Sequence, residues 1–142
     1  MKAASRASAS GRRRSRYEND TLILDILART NRPLSAYDIA DRLGSRGTRM
    51  VANQVYRTLT RLIGQRTVVR IETLNAYSLR RSEAEFCLIC RDCHAVAFVD
   101  LPGIGQAIGR AAHRRRFDLG DALIEAQGEC DDCRGPVHIH PR

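Results

Sequence analysis

Along the first half of the chain apolar residues recur with the spacing of helices; along the second half they form short runs of strand length. In "YENDTLILDILART", Leu22, Ile23, Ile26 and Leu27 share one helical face, and the pattern stops before Asn31-Arg32-Pro33. "LSAYDIADRLG" predicts a second helix: Ser35 is its N-cap with Asp38 three residues on, Ala36, Ile39, Ala40 and Leu43 form its stripe, and Gly44 supplies the stop. Arg49 to Ile63 predicts a third, with Val51, Val55, Leu59 and Leu62 facing inward and Gly64 at its end. "TVVRIETLNAYSL" then reads as a hairpin with a turn near Thr73-Leu74-Asn75. "RRSEAE" has no regular apolar spacing. Beyond it, "FCLIC" and "AVAFVD" predict two strands flanking a "CRDC" turn, Pro102 and Gly103 open a helix whose inner face is Ile104, Ala107, Ile108 and Ala111, and "ALIEAQG" predicts a third strand.

Two short helices joined by a tight turn and followed by a hairpin describe a winged helix-turn-helix. The predicted class is therefore α+β: a basic, disordered arm at 1–16, a winged-helix domain at 17–80, a hinge at 81–85, a small α/β dimerisation lobe at 86–135 and a flexible tail at 136–142. A lobe of about fifty residues is marginal by itself and calls for a metal, a partner subunit or both. No apolar run approaches the roughly 20 residues of a membrane span. The N-terminus lacks the apolar core of a secretory signal, which predicts a cytosolic protein.

Charge sharpens the picture. The net charge of +8 is localised: residues 1–16 carry +6 with no acid, residues 42–70 carry +7 with no acid, and the remainder sums to −5. A surface merely solvated by arginine predicts interspersed acids; two acid-free segments on an otherwise acidic body predict a polyanion partner. On the third helix, Asn53, Arg57 and Arg61 fall at i, i+4 and i+8, flanked by Arg49, Gln54 and Tyr56. Asn and Gln pair with adenine, and Arg with guanine or phosphate, so this is a candidate DNA-reading face, with Arg12, Arg13 and Arg14 of the arm as further phosphate contacts.

Cysteine spacing supplies the second chemistry. Cys90-x-x-Cys93 and Cys130-x-x-Cys133 are separated by 36 residues. Each two-residue gap lets a turn aim both thiolates at one ion, and two such pairs make a closed four-thiolate zinc site of the structural kind; two redox dithiols are the alternative. A catalytic zinc deaminase would need an HxE motif and a proline before the second pair, and neither is present. Cys87 is the odd thiol and reads first as a small buried hydrophobe, then as a redox sensor or a second metal ligand. His94 stands where glycine would usually close the turn, and His113, His138 and His140 read as solvated.

With "LSAYDIADRL", "NQVYRTLTRL", "CRDC" and "GECDDC" in this order, the chain resembles the ferric-uptake-regulator family of bacterial metal-dependent repressors. "LSAYDI", "RIETLNAYSL" and "LIEAQGECDDC" are most similar to its zinc-uptake-regulator branch. The resemblance implies a cytoplasmic homodimer on a palindromic operator, with Tyr37, Tyr56 and Arg57 as DNA contacts and Cys90, Cys93, Cys130 and Cys133 as ligands of one structural zinc per chain. It also implies a second, regulatory metal site between the lobes, and here this sequence departs. The hinge has no histidine, and Val69, Arg80 and Phe98 stand where that branch tends to place His, Cys and Glu. The nearest remaining candidates are Glu72, Glu83, Glu85 and Cys87, with Asp100 beyond them, a poor zinc set without imidazole.

The expected function is a sequence-specific, zinc-responsive transcriptional repressor of metal-uptake genes. The alternatives are a relative that has lost metal sensing, binding DNA constitutively or answering to thiol oxidation at Cys87, and a zinc-stabilised protein- or RNA-interaction module. No Ser-His-Asp set, phosphate-binding glycine loop or HExxH motif points to an enzyme or to a small-molecule substrate.

Overall fold

In the computed structural model, residues 12–84 and 86–135 are described. The first eleven residues of the expected arm, Glu85, and the 136–142 tail with His138 and His140 lie outside the described residues.

Three helices come first: α1 (Arg16–Ala28), α2 (Ala36–Ser45) and α3 (Ala52–Gly64). Ser15 and Glu18 form a capping box on α1, and Ser35 and Asp38 form the one expected on α2. Their apolar stripes meet in one core: Ile23, Ile26 and Leu27 from α1, Ala36, Ile39 and Leu43 from α2, Val55, Leu59 and Leu62 from α3. The hairpin β1 (Val68–Ile71) and β2 (Ala76–Leu79) closes this core, with Val68 and Tyr77 buried in it. Leu34, ahead of α2, exchanges two backbone hydrogen bonds with Tyr77 and so ties the wing to the helices.

Two helix boundaries differ from expectation, for a reason in cap chemistry. Gly44 does not stop α2; the chain turns at Gly47, whose φ is +73°, with Thr48 N–H on the Leu43 carbonyl and Gly47 N–H on the Gly44 carbonyl. This is a Schellman closure, and its left-handed residue is the one after the cap. The third helix begins at Ala52 rather than Arg49 because Met50 turns into the core and Val51 takes the N-cap, leaving Val51 54% exposed instead of facing inward.

The second lobe is a three-stranded sheet ordered β4-β3-β5. β3 (Phe86–Cys90) is central, antiparallel to β4 (Val96–Val99) and parallel to β5 (Ile124–Gly128); α4 (Ile104–Arg114) makes the crossover between β4 and β5. A single turn, α5 (Asp131–Arg134), follows. Strand alternation gives the sheet two faces. Cys87, Ile89, Val96 and Phe98 pack with Val69, Ile71 and Leu74 of the wing and with Leu123 in a second apolar cluster. Leu88 and its partners Ala97 and Ala126 belong to the opposite face, where Leu88 is 46% exposed. None of the residues of α4 is buried, so its expected inner face (Ile104, Ala107, Ile108, Ala111) finds too little apolar surface within one chain.

Candidate metal centre and nucleic-acid interface

The expected thiolates converge. Cys90 ends β3, Cys93 closes the turn after it, Cys130 is the N-cap of α5 and Cys133 lies within α5. Turn bonds shape each pair: His94 N–H donates to the Cys90 carbonyl, Cys90 N–H to the Ala95 carbonyl, and Cys133 N–H to the Cys130 carbonyl. The Arg91 N–H donates to the Gly128 carbonyl and brings the two turns together. All four sulfurs lie within 4.8 Å of one another, with Cys93 Sγ 3.7 Å from Cys130 Sγ. That spacing is far beyond the roughly 2.0 Å of a disulfide. It matches the edge of about 3.8 Å that a tetrahedron with zinc–sulfur bonds of about 2.3 Å requires.

The electrostatics suit a cation. Backbone N–H groups of Cys93 and Cys130 hold the Cys90 thiol down at about 6, and the Cys130 N–H lies 3.4 Å from that sulfur. Cys133 is pushed up by the neighbouring sulfurs of Cys130 and Cys93, the crowding a divalent ion would relieve. These residues fit a zinc ion held as a closed structural site. Bound there, the ion supplies a crosslink and no open coordination position.

The described candidate regulatory residues, Glu72, Glu83, Cys87 and Asp100, are not brought together in this way. Among the described residues, the four cysteines are the only convergent ligand set. Glu72 pairs with Arg70 at 3.4 Å, Glu83 with Arg66 at 3.1 Å, and Asp100 is exposed at the end of β4. Cys87 is wholly buried, and burial, aided by the Glu125 charge, pushes its thiol up to about 11. At neutral pH it is a small apolar side chain with almost no thiolate to oxidise or coordinate. Val69 and Phe98 belong to the same apolar cluster, filling the junction with carbon.

The basic face is built by α3 and the arm. Asn53, Gln54, Tyr56 and Arg57 point outward from α3, and Arg49 is exposed in the loop before it. Tyr37 of α2, 66% exposed, packs edge-on against Tyr56 with ring centroids 6.5 Å apart. Gln54 accepts from the Val51 N–H at 3.3 Å, fixing the start of the helix. The arm is docked rather than trailing at Arg14, whose guanidinium donates to the carbonyls of Thr48 at 3.1 Å and Arg49 at 3.0 Å. Arg12, Arg13, Arg14, Arg49, Arg57 and Arg61 thereby line one open groove of about 900 Å³. Arg61 sits at its inner wall, half-buried, with its guanidinium bonded to Asp20 of α1. It is committed to the fold rather than presented outward.

A winged helix-turn-helix with a cationic reading face, carried on a lobe stapled by four thiolates, defines a metal-dependent DNA-binding regulator. The ferric uptake regulator family profile matches residues 15–127, most of the chain, and the chain belongs to that family. It is a transcription regulator and not an enzyme. The zinc uptake regulation protein of Escherichia coli K12 is 28% identical over 116 residues, 78% of this chain and 68% of that protein. A structure titled as a zinc uptake regulator complexed with zinc and DNA superposes with a TM-score of 0.75 at 27% identity, covering 82% of this chain and 81% of its own. The Francisella tularensis ferric uptake regulator with iron shares the fold, with a TM-score of 0.63 at 21% identity over 89% of this chain and 97% of its own.

Proposed function

We propose that the protein is a cytoplasmic homodimeric repressor in the manner of the zinc uptake regulators, holding one structural zinc per chain and controlling metal-uptake genes in response to zinc. The observation that carries this reading is the cationic groove around α3, on a lobe whose four thiolates fit one ion. Tyr37, Arg49, Asn53, Gln54, Tyr56 and Arg57 read and grip the duplex, and Arg12, Arg13 and Arg14 add phosphate contacts. The uncovered faces of the sheet and of α4 supply apolar surface for a second subunit, and two reading helices related by a two-fold axis call for a palindromic operator. Selection from a random duplex pool tests this. A palindrome should emerge, and recovery of no duplex, or of RNA instead, would overturn the reading in favour of an interaction module.

A second reading, a relative that has lost metal sensing, is favoured by one observation: apolar packing fills the junction at Val69, Cys87 and Phe98. In that case DNA affinity is the same with one equivalent of zinc as with excess, and metal content stays at one ion per chain. A second bound ion that strengthens DNA binding would restore a regulatory site.

A further inference from the structure

The wing does more than flank the reading helix, because its tip is gripped by the other lobe. The β1–β2 turn presents the N–H groups of Glu72 and Thr73, which have no partner within the hairpin register. Both are taken by one carboxylate from β5: Glu72 N–H donates to Glu125 Oε1 at 2.6 Å and Thr73 N–H to Oε2 at 2.9 Å, while the Thr73 hydroxyl donates to the same Oε2. Glu125 is the register partner of Cys87, so it projects from the same face of the sheet as the apolar cluster and borders it. One side chain therefore binds the wing turn across 52 and 53 residues of sequence.

The other polar links from the winged helix to the hinge and the second lobe are weaker in kind. Arg66 reaches Asp121 at 2.7 Å and Glu83 at 3.1 Å, but the acidic side chains are 77% and 84% exposed, where ion pairs contribute little. The amide bonds to the partly buried Glu125 are charge-assisted and act in concert, the stronger kind.

We propose that Glu125 is a positioning residue for DNA recognition: it clamps the turn of the wing onto β5 and so fixes the angle between the reading unit and the lobe that pairs the subunits. This rests on the DNA-binding reading above. The clamp uses one carboxylate, two amides and a hydroxyl.

The test uses the full, zinc-loaded chain and its E125A and E125Q variants, with hydrogen exchange read at the Glu72 and Thr73 amides alongside affinity for the selected duplex. Loss of the carboxylate in E125A should abolish protection at these two amides. It should also weaken DNA binding by about fivefold or more, the span of ordinary coupling between sites. The salt dependence of binding should stay unchanged, since no phosphate contact is removed. In E125Q, which keeps one acceptor oxygen, both effects should be smaller. Wild-type exchange rates in both variants overturn the proposal, as does lost protection with unaltered DNA affinity. A wild-type chain that binds no duplex removes the DNA reading itself, and the two exchange rates then still decide whether Glu125 holds the wing.

Discussion

His94 holds a φ of +60° in the turn that follows the first cysteine pair. A side chain there meets its own carbonyl, at a cost of about 1–2 kcal/mol that glycine does not incur. Replacing His94 by glycine should therefore raise the stability of the zinc-loaded chain by up to about 1 kcal/mol, after the added freedom of the unfolded chain is offset. Denaturant unfolding of the two proteins checks it. Arg57 and Arg61 separate two roles that one helical face had merged. Arg57→Ala should lose about 1–3 kcal/mol of operator binding with the fold intact. Arg61→Ala should instead lower the unfolding midpoint, because it strands the half-buried Asp20 without its partner. The paired measurements, operator titration and thermal unfolding, should give opposite rankings for the two variants. The i, i+4, i+8 spacing put Arg61 on one helical face with Asn53 and Arg57. It was silent about an acid 41 residues earlier.

At the level of elements, what repeats locally was legible and what closes an element was less so. Among the described residues, periodicity located the four long helices and the five strands, and the Ser35–Asp38 cap. α2, α3 and α4 all close by the same Schellman pattern, the left-handed position being taken by Gly47, Arg66 and Arg116. Only the first of these is a glycine; the end of α3 falls at Gly64 as expected, whereas α2 runs past Gly44 to close at Gly47. The metal cysteines were legible because CxxC is a local motif. The wing clamp was not, since Glu125 is an unremarkable acid in a strand and its partners are backbone amides. Those amides give it a pH signature. Partial burial opposes its charge, but the bonds from Thr73 and Glu72 outweigh that and hold its carboxyl below the usual range. A group lowered on folding contributes stability above its unfolded value and loses it as pH falls through the folded one. Wild type should therefore unfold at higher temperature than E125Q at neutral pH, and the gap should close in acid, as melting curves of both across pH would read.

For the whole molecule, the described residues of the lobe that carries the sheet form no deep core of their own. Its buried side chains lie mainly against the wing, and α4 buries none of its residues. Removing zinc should therefore do more than empty a site. A chelator strong enough to strip the ion, or Cys90→Ser, should release the segment after β5 and convert dimer to monomer, read by sedimentation. The winged-helix core, with its own cluster, should keep its helical circular dichroism. The parallel pairing of β3 with β5 also imposes an order of events at the ribosome. The reading unit and β3 emerge well before the strand bearing Glu125 and the second thiol pair. N-terminal units fold first as a chain is made. Each nascent copy thus passes through an interval in which its reading unit is folded but unclamped and unpaired, and it gains operator-grade binding only when the last strand slides in beside the third.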